Sequence, residues 1–121
     1  MVVRFKNTKI DSVEETETRR LKLLKISSKS DGATISVELP DALCASMSTD
    51  QTVDVVIDSK PIPKGDSARL YVEGSVFEKA EENGLQVVGS IGGLRLVLNL
   101  NKVTAAQSKT FDSDKFYMTL N

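Results

Sequence analysis

The sequence predicts an all-β fold, a small antiparallel barrel of about eight strands with little helix. Three observations predict it. Apolar residues recur at every second position over several short runs, turn-rich breaks separate those runs, and no helical periodicity is long enough to cover a sheet.

In chain order, Val3 and Phe5 begin a strand whose pattern is lost by about Val13, and Leu21, Leu23, Leu24 and Ile26 form a second with a phase change. A bulge near Leu23 and Leu24 is expected there. Ala33, Ile35, Val37 and Leu39 alternate cleanly, and Pro40 opens a single helical turn around Asp41 to Ser46. Val53, Val55 and Ile57 follow, then a loop from Asp58 to Asp66 with two prolines and a glycine. Leu70, Val72 and Val76 mark a long strand from Arg69 to Lys79, with Gly74 where a small barrel has to curl. Asn83-Gly84 and Gly92-Gly93 both suit tight turns with positive φ, so Arg69 to Leu100 is a three-stranded meander. Its second strand carries Leu85, Val87 and Ile91, its third Leu94, Leu96, Leu98 and Leu100. A second helical turn near Thr104 to Lys109 precedes a last strand with Phe116, Met118 and Leu120. No internal repeat, low-complexity tract or linker divides residues 1–121, which form a single domain. Strands with one apolar face and no helix to bury it close on themselves, and a barrel is favoured over a sandwich.

With 40% hydrophobic and 27% charged residues, the chain has an ordinary globular composition. A net charge of −1 gives no global pull toward nucleic acid or anionic lipid. Basic character is nevertheless local: residues 1–30 carry eight Lys/Arg against four Asp/Glu, residues 31–60 one against six. The single cysteine, Cys44, forms no internal disulfide, and the chain opens without an apolar signal core, so a reducing, cytoplasmic location is expected. No apolar run reaches the ~20 residues of a membrane helix. Histidine is absent, which removes the commonest general base and metal ligand.

Each candidate for chemistry has a plainer reading. Gly92-Gly93 lacks the Lys-Ser/Thr and the helix of a phosphate loop and reads as a hairpin turn. Glu14-Glu15 and Glu81-Glu82 are adjacent pairs, which point to opposite faces of a strand or into a solvated loop, so no metal is expected. Cys44, between Leu43 and Ala45, is expected to be a small buried hydrophobe. The most informative surface is the second face of the Arg69–Lys79 strand, where Arg69, Tyr71, Phe77 and Lys79 alternate opposite the core. Aromatics flanked by cations bind protein or stack bases, and Glu73 between them weighs against nucleic acid. A bulge at Gly74 would instead return Phe77 to the core.

Tyr71-Val72-Glu73-Gly74-Ser75-Val76-Phe77, Ser90-Ile91-Gly92-Gly93-Leu94-Arg95-Leu96 and Phe116-Tyr117-Met118-Thr119-Leu120 resemble, in order and spacing, the small barrel subunit shared by the three eukaryotic nuclear RNA polymerases. The polymerases of some archaea carry a counterpart of it, and the short Asp58–Ser67 segment is closer to that archaeal form. The resemblance spans residues 69–120, with upstream strands matching in pattern only. It implies an OB-like barrel without catalytic residues or cofactors. The implied role is a non-catalytic structural subunit of a DNA-directed RNA polymerase, docked on the largest subunit, with at most weak direct nucleic-acid contact and no small-molecule substrate. Candidate interface residues are Gly92, Gly93, Leu94 and Arg95, with Arg69, Tyr71 and Phe77. In eukaryotic members a leucine and a methionine commonly follow the Gly-Gly-Leu turn, whereas Arg95 and Leu96 stand here. The alternative is a free-standing OB-fold protein that binds single-stranded nucleic acid, which needs stacking aromatics and a continuous basic groove.

Overall fold

The computed structural model describes residues 2–63 and 65–121; Met1 and Lys64, the latter inside the expected Asp58–Asp66 loop, lie outside it. Eight antiparallel strands form one closed barrel: β1 (Val2–Glu15), β2 (Leu21–Ser28), β3 (Ala33–Pro40), β4 (Thr52–Asp58), β5 (Leu70–Glu81), β6 (Leu85–Ile91), β7 (Leu94–Leu100) and β8 (Lys115–Leu120). The order around the barrel is β1-β2-β3-β7-β6-β5-β8-β4. Short 3-10 helices lie at Asp41–Cys44 and Gly65–Ser67, and α1 spans Ala105–Thr110. Period-two alternation builds the interior: Ile35, Val37 and Leu39, Val53, Val55 and Ile57, Leu96, Leu98 and Leu100, and Phe116, Met118 and Leu120 are all buried in a single core.

Two long strands change partners along their length, which closes the barrel. β1 pairs with β4 from Val2 to Lys9 and with β2 from Lys9 to Glu15. Its register slips once between Phe5 and Thr8, where Asn7 takes φ 56°, and again between Ile10 and Ser12. Each slip moves the buried face by one residue, from Val3 and Phe5 to Thr8 and Ile10, which is why the sequence pattern dissolves before Val13. Asp54 supports the first bulge by accepting from the Asn7 N–H at 2.9 Å. The bulge expected at Leu23 and Leu24 is absent, because β2 runs against β3 in unbroken register from Leu21 to Ser28. Leu24 and Ile26 are buried, whereas Leu21 and Leu23 are half-buried on the outer face.

β5 repeats the device. It pairs with β8 from Leu70 to Ser75 and with β6 from Ser75 to Glu81, slipping between Val76 and Glu78. Gly74 lies near the change of partner, as the curl required, but the extra residue is Phe77. Beyond it Lys79 stands opposite buried Val87, so it leaves the outer face it was expected to share with Tyr71 and bonds Asp112 at 2.5 Å. The meander is as expected, although Asn83-Gly84 belongs to a three-residue loop, since Glu81 pairs directly with Leu85.

The bulges reveal a repeat that the sequence conceals. Exchanging β1, β2, β3 and β4 with β5, β6, β7 and β8 leaves the cyclic strand order unchanged, a topological two-fold. Asp11 and Phe77 are the equivalent extra residues, each followed by four pairs before its hairpin turn, Ser12 to Glu15 on β1 and Glu78 to Glu81 on β5. The connection after each third strand is helical. That after β3 buries Cys44 and Met47, and that after β7 buries Phe111. Thr104 starts α1 with a capping box, accepting from the Gln107 N–H while the Gln107 side chain returns to the Thr104 N–H.

Candidate functional site

The three segments that carry the family resemblance lie on neighbouring strands, since β5 sits between β6 and β8 and β6 joins β7 through the glycine turn. One outer row crosses all four: Lys115 opposes Ser75, Ser75 opposes Ser90, and Ser90 opposes Arg95. The turn itself is the two-residue hairpin expected, with Ile91 opposite Leu94 and φ of 58° at Gly92 and 91° at Gly93. The Gly93 N–H donates to Ser90 Oγ at 3.0 Å, which ties the tip to the row beneath it. A Cβ built on either glycine meets nothing within 4 Å, so the tip projects into open space.

Phe77 is the salient side chain. Val76 faces Gly89 and Glu78 faces Val88, so the extra residue between them turns Phe77 outward beside Glu78. Phe77 is 73% exposed, and among the described residues the other exposed large hydrophobic, Leu43, belongs to a 3-10 helix. Phe77 lines a groove of 370 Å³ that also takes in Gly74, Ser75, Ser90 and the two turn glycines. Glu73 and Lys115 line it too and pair at 3.4 Å. The Tyr117 hydroxyl donates to Glu73 at 3.2 Å, and partial burial, with the neighbouring carboxylate, pushes its pKa up.

Not every expected residue joins this surface equally. Leu94 is half-buried, and Arg95 is exposed with its N–H donating to Glu38 Oε1 at 3.2 Å. Arg69 is exposed immediately before β5. Tyr71 is committed elsewhere: its hydroxyl accepts from the Ile62 N–H at 3.1 Å and its ring lies against Gly65, where a Cβ would sit 2.8 Å from the ring. Tyr71 therefore pins the loop before β5. Sequence reasoning misses Ser90 and Lys115, which the strand register brings to the groove of Phe77, and Glu78, which the bulge turns to the same side as its neighbour Phe77, because a sequence does not display register.

The basic N-terminal quarter is neutralised in part. Lys9 pairs with Asp50 at 2.9 Å, Lys22 with Glu15 at 2.6 Å and Lys25 with Glu14 at 3.2 Å, which interrupts any continuous basic track along β1 and β2. Their carboxylate partners push the pKa of Lys9 and Lys22 up. A recess of 640 Å³ between Val13, Lys22 and the Asp41–Thr49 segment includes the buried Cys44, whose thiol pKa is pushed up chiefly by desolvation. Among the described residues no cluster of three or more His, Cys, Asp or Glu side chains has the arrangement of a metal site, and no helix is long and apolar enough to cross a membrane. No protein-family model matches the chain, and no curated protein matches it.

Proposed function

We propose that this chain is a non-catalytic structural subunit of a multisubunit DNA-directed RNA polymerase, docking on the largest subunit and supporting assembly. The observation that carries the reading is the convergence of its three resembling segments. Tyr71–Phe77, Ser90–Leu96 and Phe116–Leu120 lie on adjacent strands, and their outward residues Glu73, Ser75, Phe77, Ser90, Arg95 and Tyr117 share one outer face of the barrel. At its edge an aromatic ring stands exposed and shares a groove with the open hairpin tip, the kind of anchor that protein interfaces use. The test is co-purification: the tagged chain expressed in its source cell is expected to retain the large polymerase subunits through a high-salt wash. Recovery of the chain without them would refute the reading.

A free single-strand-binding protein is the second reading, and exposed Phe77 is what favours it. Glu73 and Glu78 on the same strand oppose phosphate, and the N-terminal cations are paired in part, so the protein-docking role is preferred.

A further inference from the structure

Resting on the docking role just proposed, we infer that the bulge at Phe77 and Glu78 receives an arginine side chain from a basic, extended segment of the protein partner. A regular strand would send adjacent side chains to opposite faces. The slip between Val76 and Glu78 instead turns Phe77 and Glu78 to the same outer side, an aromatic face with a carboxylate beside it.

Phe77 is 73% exposed, Glu78 is exposed, and Glu78 makes no ion pair among the described residues. The neighbouring cations are already engaged. Lys79 is held by Asp112 and Glu81, and Lys115 by Glu73. The strand therefore offers a ring and an unneutralised carboxylate together. A guanidinium satisfies both, stacking its plane on the ring while its N–H groups reach the carboxylate. An ammonium meets the same charge without the planar stack, so arginine is preferred to lysine. Gly92, Gly93, Ser90 and Ser75 give the adjoining groove a low lining on which the backbone of an extended segment can lie.

The test separates this inference from the docking reading. The labelled chain is titrated by NMR with a peptide of alternating arginine and alanine, and with its lysine counterpart. Arginine is expected to shift the Phe77, Glu78 and Ser90 resonances and to bind about fivefold more tightly than lysine. Phe77→Leu and Glu78→Gln, both exposed changes that leave the melting temperature unaltered, are each expected to weaken the arginine peptide about threefold or more. Equal binding of both peptides, unchanged affinity in both variants, or preferential binding of an oligothymidylate to the Phe77 face overturns the inference. Failure of the wild-type chain to retain polymerase, with the arginine preference intact, overturns only the docking role.

Discussion

The ring of Phe116 lies on the bare backbone of Gly74: a Cβ at Gly74 would stand 2.4 Å from the ring's Cζ and 2.7 Å from the Ser90 carbonyl oxygen. Gly89, on the next strand, meets the same ring, with a Cβ there 2.9 Å from Cε1. Two inward glycines thus vacate the volume that one phenylalanine fills, at the place where β5 changes partner from β8 to β6. Gly74→Ala is expected to cost about 1–3 kcal/mol through overpacking, read from denaturant unfolding of the purified chain. Pairing it with Phe116→Leu should recover part of that loss. A double variant whose loss is the full sum of the two single losses would show that the ring is not what the added methyl meets.

Cys44 tests the core in another way. It is 5% exposed, and desolvation pushes its thiol pKa up, so native labelling by a thiol reagent is expected to be slow and to accelerate on unfolding. The unfolded thiol ionises near its ordinary value while the folded thiol resists, so stability is unaffected at lower pH and falls as pH rises through and above the ordinary thiol value of about 8.5. Melting curves across that range, compared with Cys44→Ala, isolate the contribution; an identical pH dependence in both proteins would remove it.

The distribution of cations leads to a third expectation. With a net charge of −1 and Lys9, Lys22 and Lys25 already paired, few phosphate contacts are available, so counterion release supplies little affinity. The isolated chain should bind a single-stranded oligonucleotide without sequence preference and more weakly than about 1 μM at physiological salt. A submicromolar dissociation constant in fluorescence anisotropy would promote the single-strand-binding reading over the docking one.

These residues also show where the sequence was legible. Alternation reports which face of a strand is buried, so the inward leucines of β7 and the closing strand at Phe116 could be read directly, as could the positive-φ turn at Gly92-Gly93. A bulge leaves no comparable mark. Asn7, Asp11 and Phe77 are ordinary strand neighbours until the opposite strand is known, and each shifts the phase of all that follows. Leu21 and Leu23 mislead for a related reason, since an apolar side chain half-buried on the outer face looks the same in sequence as one facing inward. The topological two-fold is hidden because it relates backbone paths, and Asp11 and Phe77, its equivalent bulge residues, share no chemistry. The candidate surface is found through its aromatic and its glycines. Of the residues that complete it, Ser90 and Lys115 arrive through register, and Glu78 through the bulge that turns it to the same side as Phe77.

The glycine turn offers a way to separate fold from interface. Gly93 holds φ at 91°, outside the range that a β-branched residue tolerates, while no atom lies within 4 Å of its missing Cβ. Gly93→Val should therefore cost about 1–3 kcal/mol through backbone strain alone. Arg95, two residues on, is exposed and makes its defined contact through its backbone N–H to Glu38, a bond that survives a change of side chain. Arg95→Glu should leave the melting temperature nearly unchanged, with only a small repulsion from Glu38. If the hairpin lies against the polymerase as proposed, the charge reversal weakens retention on tagged polymerase by about tenfold, and a glycine change merely lowers the amount of folded chain. Thermal melting and retention are measured on both variants. Normal assembly of Arg95→Glu would move the docking face off the hairpin toward Phe77, whereas wild-type melting of Gly93→Val would mean that the turn carries no strain to lose.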